Sequence, residues 1–209
     1  DQDRFDVRRL EAGDVVTVGS VAFEVVDTSG HSPGHRSLYH ACSKTMFCGD
    51  HVLFSSSPYI PWYPGVPDSF GRYLDSLEHV ARWDVAMPLP AHGDVRPRAD
   101  FAERARWLHE HKSAKVASLL QLIAACPGRT GLELVRALYR IGGAERWEAM
   151  SFVSRWCLLA NGVSMLDHLV SCGRVEVEVG PDGARRYCAA NRGSLQPSGI
   201  NAAVMPRRR

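Results

Sequence analysis

The chain has 209 residues, 45% hydrophobic and 23% charged, and its 25 Lys and Arg against 23 Asp and Glu leave a formal net charge of +2. That length holds one large domain or two small ones, and near-neutrality excludes both a strongly basic nucleic-acid platform and an acidic tail. No apolar run approaches the ~20 residues that span a bilayer and no signal peptide is visible, so no membrane partner is expected; the cysteines, without paired spacing and in apolar contexts, point to a reduced, cytoplasmic protein.

In chain order, Asp14–Val18 and Val21–Val26 are β-branched runs split by Gly19-Ser20, the pattern of two strands and a turn. Ser37–His40 and Thr45–Cys48 read as further short strands. Residues 55–69 are rich in proline and aromatics and read as a loop. Ser69 is placed to cap a helix over Phe70–Trp83, with Leu74, Leu77 and Val80 on one buried face. Val85–Met87 is a short buried strand. Asp100, with Glu103 three residues on, starts a long helix that Cys126-Pro127-Gly128 stops. Thr130 caps a second helix through Leu138. A third helical stretch runs from about Glu148 to Cys172; Asn161-Gly162 predicts a break, with Ser164 capping the final helix and Gly173 ending it. Arg174–Val179 alternates as a half-buried strand does, and Arg185–Ala189 returns after the Gly180–Gly183 turn. Helices followed by two strands suggest a winged helix over 113–190. Residues 191–209 are expected to be disordered.

The six cysteines (42, 48, 126, 157, 172 and 188) form no Cys-x-x-Cys pair and are expected to be reduced core residues. Chemistry concentrates elsewhere, in three Gly/Pro-punctuated motifs: Ser29-Gly30-His31-Ser32-Pro33-Gly34-His35, Phe47-Cys48-Gly49-Asp50-His51 and Pro90-Ala91-His92-Gly93-Asp94. Imidazole with carboxylate suits zinc, manganese or iron. Each candidate ligand follows an apolar run and sits where the chain turns, so His31, Asp50 and His92 are expected at strand ends converging on one cleft. His35 and His51 flank the ligands, as supports, substrate contacts or turn residues. Tyr59, Trp62 and Tyr63 follow Asp50 as substrate walls or packing groups. His109-Glu110-His111 reads as a solvated helical face.

At these motifs the chain resembles the metallo-β-lactamase-fold hydrolases. The resemblance implies that His31 binds one metal, Asp50 bridges two and His92 binds the second. Ala91 stands where glycine is usual. The superfamily's His-x-His-x-Asp-His signature is absent, so the chain is read as the C-terminal portion of a longer enzyme. Gly71-Arg72-Tyr73-Leu74-Asp75-Ser76-Leu77 and the helical tail resemble the glyoxalase-II-like and lactamase-like ribonuclease branch, in which His111-Lys112 and Lys115 occupy the places of a His-Arg pair and a later Arg.

The expected class is α+β: the C-terminal part of an αββα metallo-β-lactamase sandwich over 1–112, a winged-helix-like domain over 113–190, and a tail over 191–209. The resemblance implies a hydrolase with two Zn²⁺ per complete site (Mn²⁺ or Fe²⁺ as alternatives), Asp50 central to catalysis, and a thioester or ester substrate attacked by a metal-activated hydroxide. An endoribonuclease, or a non-catalytic interaction module, are the alternative readings. Nucleic acid is a less favoured partner, because Ser164–Cys172 carries no Lys or Arg.

Overall fold

The computed structural model describes residues 7–96, 100–140 and 144–190. The tail expected to be disordered over 191–209 lies outside the described residues.

The first part is a five-stranded sheet with helices on one face. Strands β1 (Val15–Val18), β2 (Val21–Asp27), β3 (Arg36–His40), β4 (Thr45–Gly49) and β5 (Met87–Pro90) lie in chain order. The first three pairings are antiparallel; β4 and β5 are parallel, joined through helix α1 (Ser69–Val80). A parallel pair needs such a crossover, since a tight hairpin returns the chain in the opposite sense. Pro88 and Pro90 are tolerated because β5 is the outermost strand among the described residues. Side chains alternate across β3 and β4: Ser37, Tyr39, Met46 and Cys48 are buried, while Phe47 is exposed. The buried face packs on Phe70, Tyr73, Leu77 and Val80 of α1. Phe23 meets Phe47 edge-on, ring centroids 5.8 Å apart, on the other face.

Asp68, not Ser69, caps α1. Its carboxylate accepts from the Gly71 amide at 2.7 Å, and its backbone is left-handed at φ 48°. The aspartate side chain tolerates that conformation better than most, and a carboxylate also suits the positive helix end.

Helix α2 (Phe101–Ala125) is capped by Asp100 and runs without interruption past residue 112, so the boundary expected between 112 and 113 falls inside a helix. It carries Phe101, Ala105 and Leu108 against the first part and Leu119 and Ile123 into the second, and one apolar core runs from Val26 to Tyr187. Beyond it lie β6 (Arg129–Thr130), α3 (Gly131–Leu138), α4 (Ala144–Glu148), α5 (Phe152–Ser171), β7 (Val175–Val179) and β8 (Arg185–Ala189), with strand order β6-β8-β7. Thr130 and Glu133 form the reciprocal capping box expected for α3.

Two expectations are corrected here. Asn161-Gly162 does not break the third helical stretch: α5 is continuous for 20 residues from an N-cap at Ser151, and Ser164 is buried inside it. Asn161 is held by tertiary partners, and a Cβ at Gly162 would collide with Val135 of α3, so glycine permits the close helix contact. β7 is not half-buried: Val175 is buried, but the rest of the strand is exposed. The cysteines are free, as expected, yet only Cys48 is buried; Cys42 and Cys172 are exposed and the other three half-buried. Burial raises the Cys48 thiol to about 12, so it is not a ready nucleophile beside Asp50.

Candidate metal centre

Because β3 runs against both β2 and β4, strands β2, β4 and β5 share one direction. His31, Asp50 and His92 follow the C-terminal ends of these three strands. The topology therefore delivers all three to one edge of the sheet. His31 Nε2 lies 3.7 Å from Asp50 Oδ2, and His92 Nδ1 lies 2.5 Å from Asp50 Oδ1. Asp50 stands in the middle and offers a different oxygen to each histidine.

The His31 turn is tightly built. The Gly30 amide donates to Ser32 O at 3.1 Å, and Gly30 has φ 135°. A Cβ there would strike the backbone of Tyr73 at the start of α1, so the turn requires glycine. His31 Nδ1 sits 2.8 Å from Tyr59 O; a carbonyl only accepts, so Nδ1 carries the proton and Nε2 is left with its lone pair toward Asp50. Tyr63 donates its hydroxyl to His31 O at 3.1 Å. Both tyrosines therefore hold His31, and the Tyr59 and Trp62 rings are exposed.

His35 turns behind the ligands. The Asp50 amide donates to His35 Nε2 at 3.2 Å, which puts the His35 proton on Nδ1, within 2.8 Å of Thr28 Oγ1. Burial, reinforced by His31, lowers His35 to about 4, so it stays neutral and links the first turn to the second. Gly49, at φ 55°, leaves room for this ring. His51 is buried, and that burial, with His35 nearby, lowers it to about 3; its Nδ1 has no partner. Its carbonyl accepts from Tyr73 OH at 2.7 Å. Neither flanking histidine is a mere turn residue.

His92 is held more loosely. Its side chain is 75% exposed, against 29% for His31. The Ala91 amide donates to Gly49 O at 2.9 Å and fixes the backbone just before it. Asp94 is exposed.

The role that sequence reasoning missed is the pinning of the loop bearing Tyr59. Arg104 of α2 donates to Leu53 O and Ser56 O, both at 2.7 Å. Lys112 donates to Pro58 O, and Asn161 Oδ1 accepts from the Ile60 amide at 3.0 Å. Burial lowers Lys112 to about 7. Only an internal polar residue at a helical position hinted at any of these. The His109/His111 face is only partly solvated: both rings are half-exposed, His109 approaches exposed Glu78 of α1 at 3.3 Å, and His111 stacks on exposed Trp107 with centroids 4.8 Å apart.

The donor set fits a divalent cation: an imidazole anchored through Nδ1 with Nε2 facing Asp50, a carboxylate that offers a different oxygen to each histidine, and a second imidazole beyond it. A cavity of about 710 Å³ beside α1 is lined by Ser29, Ser76 and His79, but by none of the three candidate ligands.

The chain is similar to several known proteins. The sequence family described as the metallo-beta-lactamase superfamily matches residues 1–92. A lactamase-like protein nscB of Aspergillus fumigatus is 26% identical over 200 residues, 90% of this chain and 57% of that protein. A hydroxyacylglutathione hydrolase of Idiomarina loihiensis is 28% identical over 127 residues, 55% of this chain and 49% of that protein. The crystal structure of a beta-lactamase domain protein from Burkholderia ambifaria is similar with a TM-score of 0.77 at 26% identity, covering 88% of this chain and 53% of that one. The chain spans about half the length, or less, of the curated relatives it matches.

Proposed function

We propose that the chain, whose residues 1–92 match the metallo-beta-lactamase superfamily, belongs to that superfamily and supplies the His31/Asp50/His92 part of a metal-dependent hydrolase acting on a thioester or ester. The observation that carries this reading is the meeting of the three side chains at the ends of three co-directional strands, with Asp50 between the histidines. His31 would hold one cation through Nε2, Asp50 would offer one oxygen to each of two, and His92 would hold the second. Zn²⁺ is the ion such a donor set favours, with Mn²⁺ or Fe²⁺ as substitutes. When bound, the metal supplies an acidified water and a positive charge for a developing oxyanion. The protein's own part is orientation. Tyr59 O fixes the His31 tautomer, His35 holds the Asp50 peptide, and the exposed Tyr59 and Trp62 rings would be available to substrate.

Likeness to a hydroxyacylglutathione hydrolase favours a small acyl-thioester substrate over RNA. We read the part from α3 onward, with the end of α2, as a winged helix: a helix, a short strand, helices and a two-stranded hairpin follow in that order. Its role here is support, since Asn161 reaches the Tyr59 loop. Among the described residues no helix is long and apolar enough to cross a membrane.

The test is zinc titration and thioester hydrolysis by the purified chain and by Asp50→Ala. Zinc binding and slow thiol release are expected, with the variant losing the thiol release and the zinc equivalents that depend on Asp50. Equal zinc binding by both proteins would overturn the reading.

A further inference from the structure

We propose that Asp68, His168 and Cys172 form a second divalent-metal site of zinc type, which fastens the start of α1 to the end of α5. It goes beyond the hydrolase reading and shares no residue with His31, Asp50 and His92.

Among the described residues, these three place one donor atom each within 4.8 Å of one another. His168 Nδ1 lies 2.9 and 3.1 Å from the two Asp68 oxygens, and Cys172 Sγ lies 3.8 Å from either His168 ring nitrogen. Tetrahedral zinc, with ligands at ~2.0–2.3 Å, spaces its donors about 3.3–3.8 Å apart. The sulfur–nitrogen spacing already fits, and the carboxylate needs only a small outward shift. Carboxylate, imidazole and thiol make a mixed set that suits zinc and leaves a fourth position for water on the exposed Cys172 side.

Three independent features favour a cation there. His168 and Cys172 are four apart on one helix, so they share a face and can chelate together. They occupy the last turn and the C-cap of α5, where the free carbonyls carry partial negative charge. Asp68 is held in place before any ligand arrives: the Gly71 amide donates to Oδ1 at 2.7 Å, and its own amide donates to Asp167 Oδ2 at 3.2 Å. Such outer contacts orient metal ligands.

The same three residues could be taken for a nucleophilic Cys-His-Asp relay. The helix end speaks against it, because the carbonyl terminus disfavours a bare thiolate. Burial and the Asp68 charge both raise the Cys172 thiol above its ordinary range. A cation reverses that balance: on binding, the thiol releases its proton to solvent and sulfur coordinates as thiolate.

The test uses metal-free full chain titrated with Co²⁺, read by absorption, and with Zn²⁺, read by thermal melting. Expected are a thiolate-to-cobalt charge-transfer band with tetrahedral visible bands, and a zinc-dependent rise in melting temperature. Cys172→Ser should abolish the charge-transfer band, and His168→Gln should weaken cobalt binding at least tenfold. The band should persist in a His31→Ala/Asp50→Asn/His92→Ala chain, which separates this site from the proposed hydrolytic one. Cys172 is exposed, so its serine variant keeps the fold. Absence of the band in the parent chain, or its survival in Cys172→Ser, would overturn the proposal.

Discussion

The His31 turn and the His92 loop present the same chemical group to the same carboxylate, yet they are built differently. His31 is tied through its ring to Tyr59, through its carbonyl to Tyr63, and through Gly30 to the backbone of α1. His92 touches Asp50, and its ring is otherwise open to solvent. The difference teaches that one half of the site is preorganised by the fold, whereas the other depends on what binds beside it. Preorganised ligands lose less freedom on binding, so the His31 side should take the first cation.

The sharpest way to break this comparison is through the glycines. Gly30→Ala drives a Cβ into the Tyr73 backbone at φ 135°, and a loss of ~3 kcal/mol or more is expected. Gly93→Ala, at φ 84°, meets only the Ser55 hydroxyl and should cost about 1 kcal/mol. Equal losses in chemical denaturation would refute the asymmetry.

Lys112 gives a pH handle on the loop that holds Tyr59. Its folded pKa of about 7 lies below its ordinary 10.5. The folded state thus binds fewer protons between those values, and stability rises as pH climbs from about 7 toward 10.5. The buried charge weakens the fold most below pH 7, by up to a few kcal/mol at ~1.4 kcal/mol per pKa unit. Lys112→Met should flatten this stretch of the stability–pH curve. An unchanged slope would show that Lys112 stays charged against Pro58 O.

On metal binding in a Cys172→Ser/His168→Gln background, His31→Ala should lower the affinity of the first zinc by ~10–100-fold, while His92→Ala should leave it within about threefold. Isothermal titration calorimetry distinguishes the two, and the reverse order would mean that the exposed histidine is the anchor. The smallest expected effect comes from a distance. Asn161→Ala leaves the Ile60 amide without its partner, costing ~1–3 kcal/mol of stability, and should weaken first-zinc binding only a few-fold. No change in zinc binding would uncouple α5 from the His31 side.

The strands and the three convergent side chains were legible because their signals are local. β-branched runs alternate, and Gly30, Gly49 and Gly93 sit beside the ligands where the chain must turn. The helix starts at Asp100 and Thr130 were equally local. The unbroken α5 was not legible, since Asn-Gly reads as a turn until Val135 and the Tyr59 loop are known to cover it. Nor were the roles of Arg104, Lys112 and Asn161, whose partners lie 51, 54 and 101 residues away. The cysteines misled for a related reason: apolar neighbours in sequence do not settle which face of a strand or helix is covered, and Cys42 and Cys172 came out exposed.

The parallel pairing of β4 with β5 also has a consequence for the order of assembly. His31 lies in the short connection between β2 and β3, strands that pair over only a few residues of intervening chain. Asp50 and His92 are separated by 42 residues and meet only when α1 has docked across the sheet. Contacts between near neighbours close quickly and distant ones later. The site should therefore mature in two stages during refolding, with the His31–His35 turn formed early and the Asp50–His92 contact closing after it.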